Sequence, residues 1–158
     1  MKAKLFPILL LLISLFGCND ENLSPEARIQ GRYEYLYQSD QSWGEGLKDY
    51  SNTIELRRDG TFYREEVTRN IGSDEMLGYR GYGSGTYTIS EGKVELHHEE
   101  IYVMGIADLN YVPKSDLMKM ELSELPQSYT ILNNYTELEY VCPINALCGY
   151  LPVYKKLN

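Results

Sequence analysis

Ile54-Glu55-Leu56-Arg57-Arg58-Asp59-Gly60-Thr61-Phe62-Tyr63 and Gly85-Thr86-Tyr87-Thr88-Ile89-Ser90-Glu91-Gly92-Lys93-Val94-Glu95-Leu96 decide the fold. Apolar residues alternate with polar ones in both stretches. Ile54 and Leu56 alternate with Glu55 and Arg57, Tyr87 and Ile89 with Thr86 and Thr88, and Val94 and Leu96 with Lys93 and Glu95. A period of two places the apolar set on one face of an extended strand, so each stretch reads as a β-hairpin with one buried side. Asp59-Gly60 and Glu91-Gly92 fall where the chain must reverse, and glycine supplies the positive φ of tight hairpin turns.

The same pattern extends outward. Gly31-Arg32-Tyr33-Glu34-Tyr35-Leu36-Tyr37 puts three tyrosines on one face of a first strand and Arg32 and Glu34 on the other. Ser24-Pro25-Glu26 before it reads as the start of a short helix: serine caps, proline fits the first turn, and glutamate suits the positive end. Residues 38–51 read as a polar loop around Trp43, the only tryptophan. Residues 69–84 carry Gly72, Gly78, Gly81 and Gly83 and read as a long loop or a kinked strand pair. Tyr129-Thr130-Ile131-Leu132 and Glu137-Leu138-Glu139-Tyr140-Val141 flank the turn pair Asn133-Asn134, and Val153-Tyr154-Lys155-Lys156-Leu157 reads as a closing strand. The expectation is an all-β, up-and-down antiparallel barrel of about eight strands with a short N-terminal helix. Closure removes exposed strand edges, and such a barrel has room inside for side chains or one small ligand.

Lys2 and Lys4 precede an apolar run over residues 5–16, broken only by Pro7 and Ser14, and Gly17-Cys18 follows. A spanning helix needs roughly 20 apolar residues, so this shorter run fits a signal-peptide core. Leu15-Phe16-Gly17-Cys18 resembles a bacterial lipoprotein lipobox. That resemblance implies removal of residues 1–17 and a diacylglycerol on the Cys18 thiol. Residues 18–27 then form a lipidated polar tether and residues 28–158 the barrel domain. Asn19-Asp20-Glu21-Asn22 is similar to the export signal that sends Bacteroidetes lipoproteins to the cell surface. The implied place is the outer membrane, facing the cell surface or the periplasm. Loss of Lys2 and Lys4 leaves 13 basic side chains against 23 acidic ones and takes the charge from −8 to −10. Such a protein repels phosphate backbones, so nucleic acid is not an expected partner. Membrane contact falls to the lipid chains, at about 0.8 kcal/mol per buried CH₂.

Three cysteines are present. With Cys18 taken by lipid, Cys142 and Cys148 remain in an oxidising compartment, which favours a disulfide; two buried free thiols are the alternative. Two cysteines without nearby histidine fall short of a structural zinc site. His97 and His98 point to opposite faces of a strand, so no metal site is expected there. No catalytic residue and no cofactor are expected, because the chain carries no nucleophile elbow, zinc-protease helix or phosphate-cradling loop.

The short helix, Gly31-x-Tyr33, Arg58-Asp59-Gly60-Thr61-Phe62, Gly85-Thr86-Tyr87-Thr88-Ile89, Leu138-Glu139-Tyr140 and Tyr154-Lys155 together resemble the small lipocalin-like lipoproteins of Bacteroidetes. The resemblance implies a binding protein that holds a small hydrophobic, aromatic or sugar molecule in its barrel. The fifteen tyrosines fit that picture, since tyrosine offers a rigid apolar ring and one polar tip. They also fit the plain preference of strands for aromatics. Candidate ligand contacts are Tyr33, Tyr35, Trp43, Leu56, Phe62 and Tyr87. Ser84-Gly85-Thr86-Tyr87 is similar to a stretch of bacterial lysozyme inhibitors, which supports an alternative: an inhibitor or protein-interaction module acting through surface loops.

Overall fold

The computed structural model describes residues 23–40, 46–105, 110–122 and 125–157. A five-residue helix α1 (Pro25–Ile29) leads into β1 (Gly31–Ser39), β2 (Lys48–Leu56), β3 (Thr61–Asn70), β4 (Met76–Ser90), β5 (Lys93–Val103), β6 (Met118–Lys119), β7 (Gln127–Leu132), β8 (Glu137–Tyr140) and β9 (Val153–Lys156). Going round the sheet, β4, β3, β2, β1, β9, β8, β7 and β5 pair in turn, and β5 pairs back onto β4. Eight antiparallel strands therefore close into a barrel, and β6 hangs on the far end of β5.

Local chemistry explains the turns. Asp59 Oδ1 accepts from the Thr61 N–H at 3.0 Å and from its hydroxyl at 2.6 Å, and Gly60 takes φ 81°. Glu91 and Gly92 both adopt positive φ, 50° and 76°, as a two-residue hairpin loop with right-handed strand twist requires. Ser24 caps α1 through the Ala27 N–H. The helix closes the base of the barrel: Ile29 is fully buried, and the Tyr33 hydroxyl sits 2.8 Å from the Ile29 carbonyl and 2.9 Å from that of Tyr135.

Of the two forms expected for residues 69–84, the structure takes the kinked strand pair: β3 ends at Asn70, the chain turns over 71–75, and the β3–β4 register shifts twice. Residues 76–90 form one strand, β4, paired on both edges. Its glycines provide clearance rather than turns. A Cβ on Gly83 would lie 2.8 Å from the Glu100 carbonyl oxygen, and one on Gly85 only 2.0 Å from that of His97. Only a bare backbone lets β5 coil that closely over β4.

Cross-strand register sets the interior. Tyr33 faces Ile54, which faces Arg64, while Leu56 faces Phe62. Tyr33, Ile54, Leu56, Phe62, Val94 and Leu96 are buried in one cluster with Ile29, Tyr129, Leu138 and Tyr154, and Tyr35, Tyr87 and Ile89 pack against it. The period-two residues thus turn inward together, as a half-buried strand demands. Glu34, Glu55, Arg57, Glu65, Arg69 and Glu95 occupy alternate positions on the outer wall. The base carries α1 and the turns at 57–60, 91–92 and 133–136; the opposite end, the mouth, carries the segments at 71–75 and 141–152. Cys142 and Cys148 are joined in that last loop with Cα atoms 6.0 Å apart, so the expected pair is present.

Candidate functional site

The inner wall changes character from base to mouth. At the base it is apolar and filled. The Phe62 ring meets His98 edge to face at 4.9 Å and is 1% exposed, beside Leu56 and Leu96.

Above this core lies a polar rung. Arg64 donates to Gln127 Oε1 at 2.8 Å and to Glu66, and a ring nitrogen of His98 lies 3.3 Å from the same Gln127 oxygen. Burial works against the Arg64 charge, but Glu66 and the hydroxyls of Tyr129 and Tyr154 outweigh it and raise its pKa. Burial lowers the His98 pKa, and the neighbouring Arg64 charge adds to that, against the Gln127 hydrogen bond. Arg80 is turned inward where the β3–β4 register slips. It donates to the Tyr37 hydroxyl at 3.3 Å and to Asn52, and lies 3.9 Å from Glu66. Two guanidiniums therefore share one carboxylate, and Arg80 Nε has no hydrogen-bond partner among the described residues. An unpaired buried donor of this kind favours an incoming acceptor.

The mouth is lined by rings. Tyr35 stacks on Tyr37 at 5.4 Å, Tyr37 stacks on Tyr50 at 5.2 Å, and Tyr35 leans on Tyr154 at 5.8 Å and on Tyr150 at 6.0 Å. Arg80 lies 4.9 Å from the Tyr50 ring centre. Asn110 closes one side, accepting from Tyr50 and Thr68 at 3.1 and 2.7 Å. Tyr150 is 69% exposed on the disulfide loop, next to Ile144 and Leu147 at its tip, which are almost wholly exposed. Burial raises the Tyr35 pKa, with the Tyr150 hydroxyl adding to it, so Tyr35 is a neutral phenol at physiological pH.

The expected contacts fall into different places. Tyr33, Leu56 and Phe62 are buried in the packed core, and Tyr87 sits at the base with its hydroxyl donating to the Arg57 carbonyl at 2.8 Å. Tyr35 alone of the described candidates reaches the mouth; Trp43 and Cys18 lie outside the described residues. Ser84-Gly85-Thr86-Tyr87 is not a surface loop but the middle of β4, with Ser84 donating to Glu100 at 3.0 Å. The reason is pairing: each of its residues has a ladder partner on β3, β5 or both. Arg64, Glu66 and Arg80 went unread, although Phe62, Arg64 and Glu66 share one face by strand spacing, so an inward Phe62 brings the other two inside. Among the described residues no three histidine, cysteine or acidic side chains converge as a metal site, and no helix is long and apolar enough to cross a membrane. A hollow of about 300 Å³ does exist, but at the base, between Ala27, Arg28, Tyr135 and Lys156, and not within the barrel. No protein-family model, curated protein or solved structure matches the chain.

Proposed function

We propose that the chain is an exported, lipid-anchored binding protein of lipocalin-like build, not an enzyme. Its ligand carries an aromatic or sugar ring and docks at the mouth against Tyr35, Tyr37 and Tyr150. The observation that carries this is the stacked tyrosine wall, which opens beside the exposed Tyr150 while the interior below it is occupied by side chains. Flat rings beside a buried guanidinium suit a planar ring with an oxygen acceptor. The lipobox resemblance supports the anchor at Cys18. α1 joins β1 at the base of the barrel, at the end opposite the mouth.

The test is an NMR titration with 4-hydroxybenzoate and methyl β-glucoside as ring probes. The proposal expects shifts at the Tyr35, Tyr37 and Tyr150 rings. Tyr150→Ala should weaken binding several-fold, since an aromatic pair contributes about 0.5–1.5 kcal/mol. Absence of binding by either probe would overturn the reading and favour an interaction module, for which the exposed Ile144 and Leu147 are the specific support. The anchor is tested separately: intact mass of membrane-extracted protein should show a diacylated Cys18, and a mature terminus elsewhere would refute it.

A further inference from the structure

A second tyrosine group stands on the outer wall, on the opposite face of the strands from the mouth tyrosines. Tyr63 of β3 and Tyr82 of β4 lie with ring centres 6.4 Å apart, and Tyr102 of β5 stacks on Tyr82 at 4.6 Å. The chain after Asn110 returns across these rings. Val112 forms a two-way backbone pair with Tyr79, both bonds 2.9 Å, and Leu117 is buried a few residues on. Between those two anchors the exposed Lys114 bends back over the wall. Its ammonium lies 4.5 Å from the Tyr82 ring centre, 5.3 Å from that of Tyr79 and 5.5 Å from that of Tyr63. It also donates to the Tyr63 hydroxyl at 3.1 Å, and that hydroxyl donates onward to Glu65 at 3.3 Å.

Three ring faces and a phenol polarised by a carboxylate thus converge on the Lys114 ammonium, and the Arg57 guanidinium lies 6.0 Å from the Tyr63 ring centre. The faces are the negative part of the ring quadrupole, so the cradle selects a cation. Its rim is acidic as well, through Glu65 and Glu100, and both carboxylates act on the ring hydroxyls. We propose that this cradle is a binding site for an organic cation, a quaternary or methylated ammonium, with Lys114 as its built-in occupant. The lysine shows which charge the rings accept. Its compact ammonium is strongly hydrated, whereas a methylated ammonium gives up water easily and presents methyl groups to the faces. Such a ligand displaces Lys114 by rotation of one exposed side chain, with Val112 and Leu117 still holding the segment. The site does not rest on the mouth proposal, because its residues are on the opposite face of the strands.

The experiment is an NMR titration of the wild-type protein, Lys114→Gln and Lys114→Arg with tetramethylammonium chloride, against sodium chloride at matched ionic strength. Shifts should appear at the Tyr63, Tyr79 and Tyr82 rings. Lys114→Gln should bind about 5- to 10-fold more tightly than wild type, because a tethered competitor acts at an effective concentration in the millimolar range. Lys114→Arg should keep the wild-type weakness, and Tyr82→Leu added to Lys114→Gln should abolish binding. Equal affinity in wild type and Lys114→Gln, shifts elsewhere, or no shift beyond the sodium chloride control would each overturn the proposal. A Lys114→Gln protein that merely melts earlier and binds nothing would show that the lysine only pins the segment to the wall.

Discussion

Phe62→Ala probes whether the barrel is packed or hollow. Phe62 is 1% exposed, lies opposite Leu56 on β2 and Gly85 on β4, and meets His98 edge to face. Truncation removes the whole ring. Gly85, its neighbour, has no side chain to swing into the gap, and the β5 carbonyl 2.0 Å from the Gly85 Cβ position leaves the strands little room to move closer. The site therefore collapses poorly, and the loss falls in the range of about 3–5 kcal/mol found for buried Phe→Ala changes. Against a typical total of about 5–15 kcal/mol this is a large share. Urea unfolding followed by circular dichroism should show a lower midpoint at unchanged slope, the mark of an altered stability rather than an altered unfolded state. A loss below about 1 kcal/mol would refute the reasoning, because a ring that lines empty space has few contacts to lose.

Gly85→Ala should destabilise by about 1–3 kcal/mol or more, since its new methyl meets backbone and not a flexible side chain; a neutral effect in the same urea assay would show that β5 can retreat. His98 gives a pH signature. Its folded pKa is lowered by burial, so below about pH 6.5 the unfolded chain binds a proton that the folded chain resists, and stability falls as pH falls through that region. The slope from this one proton is at most about 1.4 kcal/mol per pH unit, and His98→Gln should flatten the profile between about pH 7 and 5.5; identical profiles would exclude His98 as its source. Replacing Cys142 and Cys148 by serine should cost about 2 kcal/mol by the loop-closure relation for so short a loop and leave the strands folded, whereas loss of the far-ultraviolet β signal would mean that the 141–152 loop supports the barrel.

The strands were legible because their cause is local. Alternation along residues 54–63 and 85–96 and glycine at each reversal specify hairpins without reference to the rest of the chain, and Ile54, Leu56, Phe62, Val94 and Leu96 do meet in one core, with Tyr87 and Ile89 packed against it. The closed, eight-stranded, all-β barrel followed from the number of such strands and the need to close their edges, and the Cys142–Cys148 pair from two cysteines left in an oxidising compartment. Two features were hidden because their cause is distant. Gly81 and Gly83 fit a loop as well as a kinked strand until β5 is known to pass within reach of a Cβ, and nothing near residue 83 in sequence announces Glu100. The filling of the interior was hidden too. Period two turns Tyr33 and Phe62 inward, but whether an inward ring lines a space or fills it depends on Leu96, Leu138 and Tyr154 from remote strands. Arg80 reaches the interior only through the register slip in β4, which period-two reasoning does not foresee.

The location of a bound ring probe tests the account most directly. Intermolecular NOEs between 4-hydroxybenzoate or methyl β-glucoside and the protein should run to the ring protons of Tyr35, Tyr37 and Tyr150, with none to Leu56 or Phe62. NOEs to Leu56 and Phe62 would contradict the account, since they place the ligand in the interior that these side chains are held to fill.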